Sequence, residues 1–341
     1  MDTLTGLLDG PKARGAFLLR SILSAPWSLR IEDGAPLSVV TMVRGEAWIT
    51  PEGGAGLLLR PGDVAILRGP DPYTVADTPD TPVQVVIGPG QICSRDGVDV
   101  SASMALGIRT WGGARPGDEH PAVLLSGTYR AEHEIGRRLL DHLPALLVRP
   151  AGPDPAATED ALVRLLTSET VRDEPGQELV LDRLLDLLVV GVLRSWLAAP
   201  DSGAPAWYRA QHDSVVGPVL RLMHDDPARP WTVASLAAEV GVSRAGLARR
   251  FTALVGEPPM AYLATWRLAL AADLLRDPGH TVASAARRVG YSNAFALSAA
   301  FKRVRGLTPQ EHRRLAGSTV SVPAGGPAGA SAAATTVVLA G

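Results

Sequence analysis

One motif occurs twice in the C-terminal part of this 341-residue chain: TVASLAAEVGVSRAGLARRFTALVG from Thr232 and TVASAARRVGYSNAFALSAAFKRVRG from Thr281. Thr232-Val233-Ala234-Ser235 matches Thr281-Val282-Ala283-Ser284, and Gly241 and Gly290 each lie nine residues after their threonine. Phe251 and Phe301 each precede a glycine by five residues, Gly256 and Gly306, with one extra residue after the second turn. A duplicated pair of short helices joined by a glycine turn implies a helix-turn-helix in each copy, which is a DNA-reading unit.

Each threonine can cap the first helix of its pair while that helix's free amides face an anionic partner such as a phosphate. Ala237 and Ala286 are small where two helices must cross, and the glycines supply the positive backbone angle of a tight turn. Ser243 and Asn293 cap the second helix of each pair, and the expected inward stripes are Leu247, Phe251, Leu254 and Leu297, Phe301, Val304.

That second helix is the candidate recognition helix. In the first copy its outward face is Arg244, Ala245, Ala248 and Arg249, and an arginine there can bind guanine bidentately, for roughly 1 to 3 kcal/mol of discrimination. In the second copy the matching positions are Ala294, Phe295, Ser298 and Ala299, which leaves thymine-methyl contact or backbone docking. Thr232, Ser243, Thr281, Asn293 and Lys302 complete the expected DNA-facing set. Two ordinary hairpins with solvated arginines would not explain why both turn glycines, both caps and both stripes recur together.

Between the copies, Pro258 and Pro259 end one hairpin and AYLATWRLALAADLLRD follows, with Tyr262, Trp266, Leu270 and Leu274 spaced by four. A buried connecting helix is expected, and two readers on one face of a duplex must sit about one helical turn, roughly 34 Å, apart.

Residues 213–316 resemble the DNA-binding domain of the AraC/XylS family of bacterial transcriptional regulators, the hallmark being GYSNAFALSAAFKRVRGLTPQEHRR from Gly290 to Arg314. The family usually has serine at Asn293, an aromatic at Leu297 and a basic residue at Ala299, so the second copy departs in its base-reading face. The resemblance implies promoter DNA and RNA polymerase as partners, a homodimer, and activation as the commoner mode. The charge agrees: residues 212–316 hold 14 Lys and Arg against 8 Asp and Glu, net +6, while residues 1–211 hold 19 against 27, net −8. Binding carried by phosphate contacts should weaken steeply as salt rises.

From about Phe17 to Ile87 short apolar runs (SVVTMV, RGEAWIT, LLL, AIL, VQVVI) are separated by the turns PEGGAG, RPGDV and RGPDP. This is the rhythm of an antiparallel barrel or sandwich. Arg60-Pro61-Gly62-Asp63 before an apolar strand resembles the cupin barrel that many AraC-type regulators carry as a sensor, which implies a small-molecule effector. Candidate ligand-lining residues are Trp27, Met42, Trp48 and Tyr73, each of which equally suits the barrel's core. No histidine precedes His120, with Ser38 and Tyr73 standing where related domains often carry one. A metal site, and with it a cupin metalloenzyme, is therefore disfavoured, and no cofactor is expected. The single cysteine, Cys93, excludes an internal disulfide; it is either a redox switch or a buried thiol.

After LLSGTYR, expected as a last strand followed by a helix up to Leu143-Pro144, two helices are expected, Ala157 to Asp173 and Gln177 to Ala198. The first carries Leu162, Leu165, Leu166 and Thr170 on one side; the second is apolar over more than one face and must be buried. The resemblance to AraC-type regulators implies that these helices form the dimer contact; burial within the monomer is the alternative. The expected fold is α+β: a cupin-like antiparallel barrel (1–150), a helical dimerisation segment (151–199), a linker (200–212), an all-α DNA-binding domain (213–316) with helix-turn-helix motifs at about 233–254 and 282–304, and a disordered tail (317–341). MDTLTGLLDGPKARG lacks the features of a signal peptide and no run is apolar enough to span a membrane, so a cytoplasmic protein is expected. The expected function is a sequence-specific DNA-binding regulator responding to a small molecule or redox signal. The alternatives are the metalloenzyme and a constitutive regulator whose barrel is only a scaffold.

Overall fold

The structure, a computed structural model, describes residues 17–107, 109–113, 115–129, 142–152, 157–199 and 204–318. The helix expected after Tyr129 falls mostly on residues 130–141, outside the described residues. So does the expected disordered tail, except for its first two residues, which end the last helix.

Among the described residues, fourteen strands form two seven-stranded sheets. One runs β11 (Ala105–Gly107), β12 (Thr110–Gly113), β1 (Phe17–Leu23), β13 (Ala122–Tyr129), β3 (Leu37–Arg44), β6 (Val64–Arg68), β14 (Leu146–Arg149). The other runs β10 (Val98–Asp99), β9 (Cys93–Arg95), β8 (Val85–Ile87), β2 (Ser28–Ile31), β7 (Tyr73–Ala76), β4 (Ala47–Pro51), β5 (Leu57–Leu59). Pairing is antiparallel except between β1 and β12 and between β2 and β8.

The central strands of the first sheet, β13, β3 and β6, are buried on both faces. In β3, Val40 and Met42 point into the core between the sheets, while Leu37 and Val39 point the other way into a second core. Ala65 and Leu67 of β6 divide from Val64 and Ile66 in the same manner. The cover is a helical pair, α1 (Thr158–Glu169) and α2 (Gln177–Ala198), whose Leu166, Leu181, Leu185, Leu188 and Val192 complete the second core. This is why these strands are continuous apolar runs rather than alternating ones. The helices come so close that a β-carbon on Gly127 of β13 would lie 2.7 Å from Cδ2 of Leu185.

Local chemistry ties the helical pair to the barrel. Asp63, in the turn opened by Gly62 at φ 88°, accepts from the Arg60 amide at 2.8 Å and from the Ala151 amide at 2.8 Å. Arg149, at the end of β14, grips Asp160 of α1 through both guanidinium nitrogens. That hydrogen bond outweighs the opposing effect of burial and holds the Asp160 carboxyl below its usual range.

Beyond α2 the chain forms α3 (Ala206–Arg209), a 3₁₀ turn (Ala210–His212), α4 (Val216–Asp225), α5 (Val233–Glu239), α6 (Arg244–Val255), α7 (Pro259–Arg276), α8 (Val282–Arg288), α9 (Ala294–Arg305) and α10 (Pro309–Ser318). Residues 204–212 are packed rather than a loose linker. Ala204, Trp207 and Ala210 are buried in the core that joins the helical pair to Leu236, Phe251 and Tyr262.

Four expectations on packing change. Leu254 and Val304 are exposed, so the inward stripes reduce to Leu247 with Phe251 and Leu297 with Phe301. At seven residues, α5 and α8 are about 10 Å long against about 18 Å for the twelve-residue α6 and α9, so the last turn of each longer helix outlasts its partner. In α7, Tyr262 and Trp266 are buried but Leu270 and Leu274 only partly, because a spacing of four drifts around the helix. The buried face passes instead from Tyr262, Leu263 and Trp266 in one core to Leu268, Ala271, Ala272 and Leu275 in that of the second motif. Leu165 is exposed on α1, where Leu162, Val163 and Leu166 face inward, and Trp48 lies outside the barrel core that its neighbours Ala47 and Ile49 enter.

Candidate nucleic-acid interface and sensor cavities

The two helix-turn-helix units are built by the same local chemistry. Thr232 Oγ1 accepts from the Ser235 amide at 3.0 Å while Ser235 Oγ accepts from the Thr232 amide at 2.9 Å. Thr281 and Ser284 repeat this capping box at 3.1 and 2.9 Å. Ser243 Oγ caps α6 by accepting from the Gly246 amide at 3.1 Å, and Asn293 Oδ1 caps α9 by accepting from the Ala296 amide at 2.9 Å. Gly241 and Gly290 turn the chain at φ 69° and 82°, and Ala237 and Ala286 are buried at the helix crossings. The threonine side chains are thus engaged in capping, and what they present outward is the helix ends they orient.

On α6, Arg244, Ala245 and Arg249 are exposed and Ala248 is half-buried; Arg249 borders a concavity of about 350 Å³ with Ser243, Gly246 and Arg250. On α9, Phe295, Ala299 and Lys302 are exposed and Ser298 is half-buried. Ser298 Oγ donates to the Ala294 carbonyl at 2.8 Å. Besides the expected Lys302, three further exposed cations lie beside the second unit that the motif did not single out: Arg287 and Arg288 at the end of α8, and Arg303 in the last turn of α9. Their signal was the net charge of +6 over residues 212–316.

The two units are joined by more than the connecting helix. Arg267 of α7 donates from Nε to the Pro227 carbonyl at 2.6 Å and from Nη2 to the Arg229 carbonyl at 2.8 Å, clamping the α4–α5 loop. That loop meets the turn of the second unit: a β-carbon on Gly290 would lie 2.7 Å from the Ala228 carbonyl oxygen.

In the sensor region the expected lining residues are not brought together around a ligand-sized space. Trp27, Met42 and Tyr73 are buried in the barrel core, and Trp48 is outside it. The cavity inside the barrel, bordered by Tyr73, Asp33, Ser126 and Thr128, has a volume of about 20 Å³, on the scale of one water. Burial pushes the Tyr73 phenol up, against the lowering effect of its hydrogen bond with Ser38. A larger cavity of about 420 Å³ lies at the seam between barrel and α1, lined by Met42, Val43, Gly62, Val163, Arg164 and Thr167. Cys93 is 4% exposed, and its burial pushes the thiol up, which disfavours the thiolate a redox switch needs. Among the described residues no group of three or more His, Cys, Asp or Glu side chains is placed to hold a metal ion, and no helix is long and apolar enough to cross a membrane.

A cupin-type double sheet with two helix-turn-helix units behind it defines a class of DNA-binding regulator, and comparison with known proteins agrees. Residues 2–198 match the cupin family and residues 236–315 a helix-turn-helix domain. An AraC-like transcription regulator of Streptomyces lividans is 33% identical over 92% of this chain and 98% of its own length. A second, from Streptomyces antibioticus, is 31% identical over 92% of this chain and 99% of its own. The DNA-binding domain of AdpA, solved in complex with a target DNA, is 30% identical over 30% of this chain and 92% of that one, at TM-score 0.29. The chain belongs to the AraC-like transcription regulators.

Proposed function

We propose that this protein is a cytoplasmic, homodimeric regulator, not an enzyme, that binds promoter DNA through α6 and α9 and answers to a small molecule at its cupin domain. The observation that carries this reading is the spatial repetition of two capped helix pairs, the first presenting Arg244 and Arg249 outward from a recognition helix. Thr232, Ser243, Thr281 and Asn293 orient the helix ends toward phosphates, Arg244, Ala245, Ala248 and Arg249 face base edges, and Phe295, Ser298, Ala299 and Lys302 face the second half-site. Residues 1–150 would sense, 151–199 dimerise and 213–316 read, with activation through RNA polymerase as the working mode.

Support for dimerisation comes from α2, whose Val180 and Leu187, seven residues apart, are 44% and 56% exposed on one face. The test of DNA reading is a gel shift at fixed salt with promoter fragments from beside the protein's own gene. Arg249→Ala should lower specific affinity by roughly 5- to 150-fold and relax preference at one base pair. Equal binding by both proteins would remove Arg249 from the reading face. The barrel's water-sized interior favours a second reading, a constitutive regulator with the barrel as scaffold; a thermal-shift screen in which no metabolite raises the melting temperature would support it.

A further inference from the structure

Phe295 is 85% exposed, well above the next large apolar side chain, Val98 at 66%. It is the second residue of α9, directly after the Asn293 cap, where α6 has Ala245. The fold does not use this ring. The core of the second unit is closed by Leu297 and Phe301, both at 0% exposure, with Ala285, Ala286 and Leu275.

The rest of the face is chemically quiet. Ala299 has no polar atom, and the Ser298 hydroxyl already donates to the Ala294 carbonyl. Neither residue offers the bidentate donors that read guanine or adenine. The base-edge group that an aromatic carbon surface can recognise in the major groove is the C5-methyl of thymine. The surrounding cations, Arg287, Arg288, Lys302 and Arg303, are exposed and suit phosphates, which hold a helix against the groove without reading sequence.

We propose that the second helix-turn-helix specifies its half-site by apolar contact between Phe295 and thymine 5-methyl groups, while the first uses arginine hydrogen bonds. This rests on the DNA-binding reading above. The two units then differ in chemistry and not only in strength: loss of one methyl is invisible to an arginine on guanine and decisive for an exposed ring.

The experiment uses the full chain and a DNA site obtained by selection from random duplexes. Each thymine of the half-site footprinted by α9 is replaced in turn by deoxyuridine, which removes only the methyl. Wild type should lose about fourfold in affinity for each contacted methyl, the worth of one buried methylene-sized group. Phe295→Ala should bind the thymine site more weakly, show no further loss with deoxyuridine, and keep the wild-type melting temperature because the ring is 85% exposed. Phe295→Leu should retain part of the sensitivity. Wild-type affinity indifferent to every deoxyuridine overturns the proposal while leaving DNA binding intact. A Phe295→Ala protein that binds normally but fails to regulate transcription also overturns it, assigning the ring to a protein partner. Failure to select any DNA would remove the DNA-binding reading itself, and this proposal with it.

Discussion

Arg250 of the first recognition helix holds Asp213, 37 residues earlier, through Nη2 at 2.7 Å and Nε at 3.1 Å to the same carboxylate oxygen. The other oxygen, Oδ1, accepts from the Val215 and Val216 amides, both at 2.9 Å, at the start of α4. Of the arginines at 244, 249 and 250, Arg250 is therefore engaged within the fold, fastening α6 to the segment that precedes α4. The apolar core follows the same route, from Leu37 and Ile66 of the barrel through Leu185 and Leu193 to Trp207 and Phe251. The second unit has its own core and meets the first through α7 and the Ala228 loop.

Removing Arg250 and removing Asp213 should not be equivalent. Arg250 is about half exposed, so Arg250→Ala should cost about 0 to 1 kcal/mol in urea unfolding, as exposed pairs do. Asp213→Ala also leaves the Val215 and Val216 amides without their acceptor and should cost about 1 to 2 kcal/mol. Burial alone would raise the Asp213 carboxyl, but the Arg250 hydrogen bond and the two amides outweigh it and hold it below the usual range. A depressed carboxyl stabilises fully above its unfolded value, about 3.9, and loses that contribution as pH falls through the folded value. The stability gap between wild type and Asp213→Asn should therefore be constant at neutral pH and shrink in acid below about pH 4. A gap that widens there would contradict the assignment.

The two turn glycines should respond differently to alanine. Both have positive φ, which costs a residue with a β-carbon about 1 to 2 kcal/mol. The new β-carbon would meet nothing within 4 Å at Gly241, whereas at Gly290 it would press on the Ala228 backbone at 2.7 Å. Denaturant titration should show Gly290→Ala as the more destabilised; equal losses would mean that the loop yields without penalty.

On α2, Leu187→Asp places a charge on an already exposed position and should leave the monomer folded. If that face is the dimer contact, sedimentation velocity at micromolar protein will shift from dimer to monomer, and DNA affinity will fall with it. A variant that still sediments as wild type would move the interface elsewhere.

Cys93 should resist alkylation in the native protein. Its thiol is pushed up chiefly by burial, with the Asp99 charge acting in the same direction and the Ser101 hydrogen bond against them. Because the thiolate is the nucleophile, labelling should be slow at pH 7, accelerate only above the ordinary thiol range, and become complete on unfolding. Rapid stoichiometric labelling at pH 7 would return Cys93 to the list of sensors.

What was legible in the amino-acid order is the chemistry that acts within one helical turn. The capping residues Thr232, Ser243, Thr281 and Asn293 each bond an amide three residues on, and Gly241 and Gly290 meet a purely local backbone demand. The strands β3, β4, β5, β6 and β8 and the bounds of α2 were readable for the same reason. Only the tertiary structure decided the rest. Trp48 and Tyr73 look alike as apolar strand residues until the sheets are stacked and one is left outside. Leu254 and Val304 obey the helical period, yet exposure depends on how far the neighbouring helix reaches, which no period encodes. Arg250 and Asp213, or Gly290 and Ala228, meet across 37 and 62 positions of chain. Contacts at that separation are set by how whole elements pack: local spacing puts Arg244 and Arg249 on the outward face, and only the folded chain pairs Arg250 with Asp213.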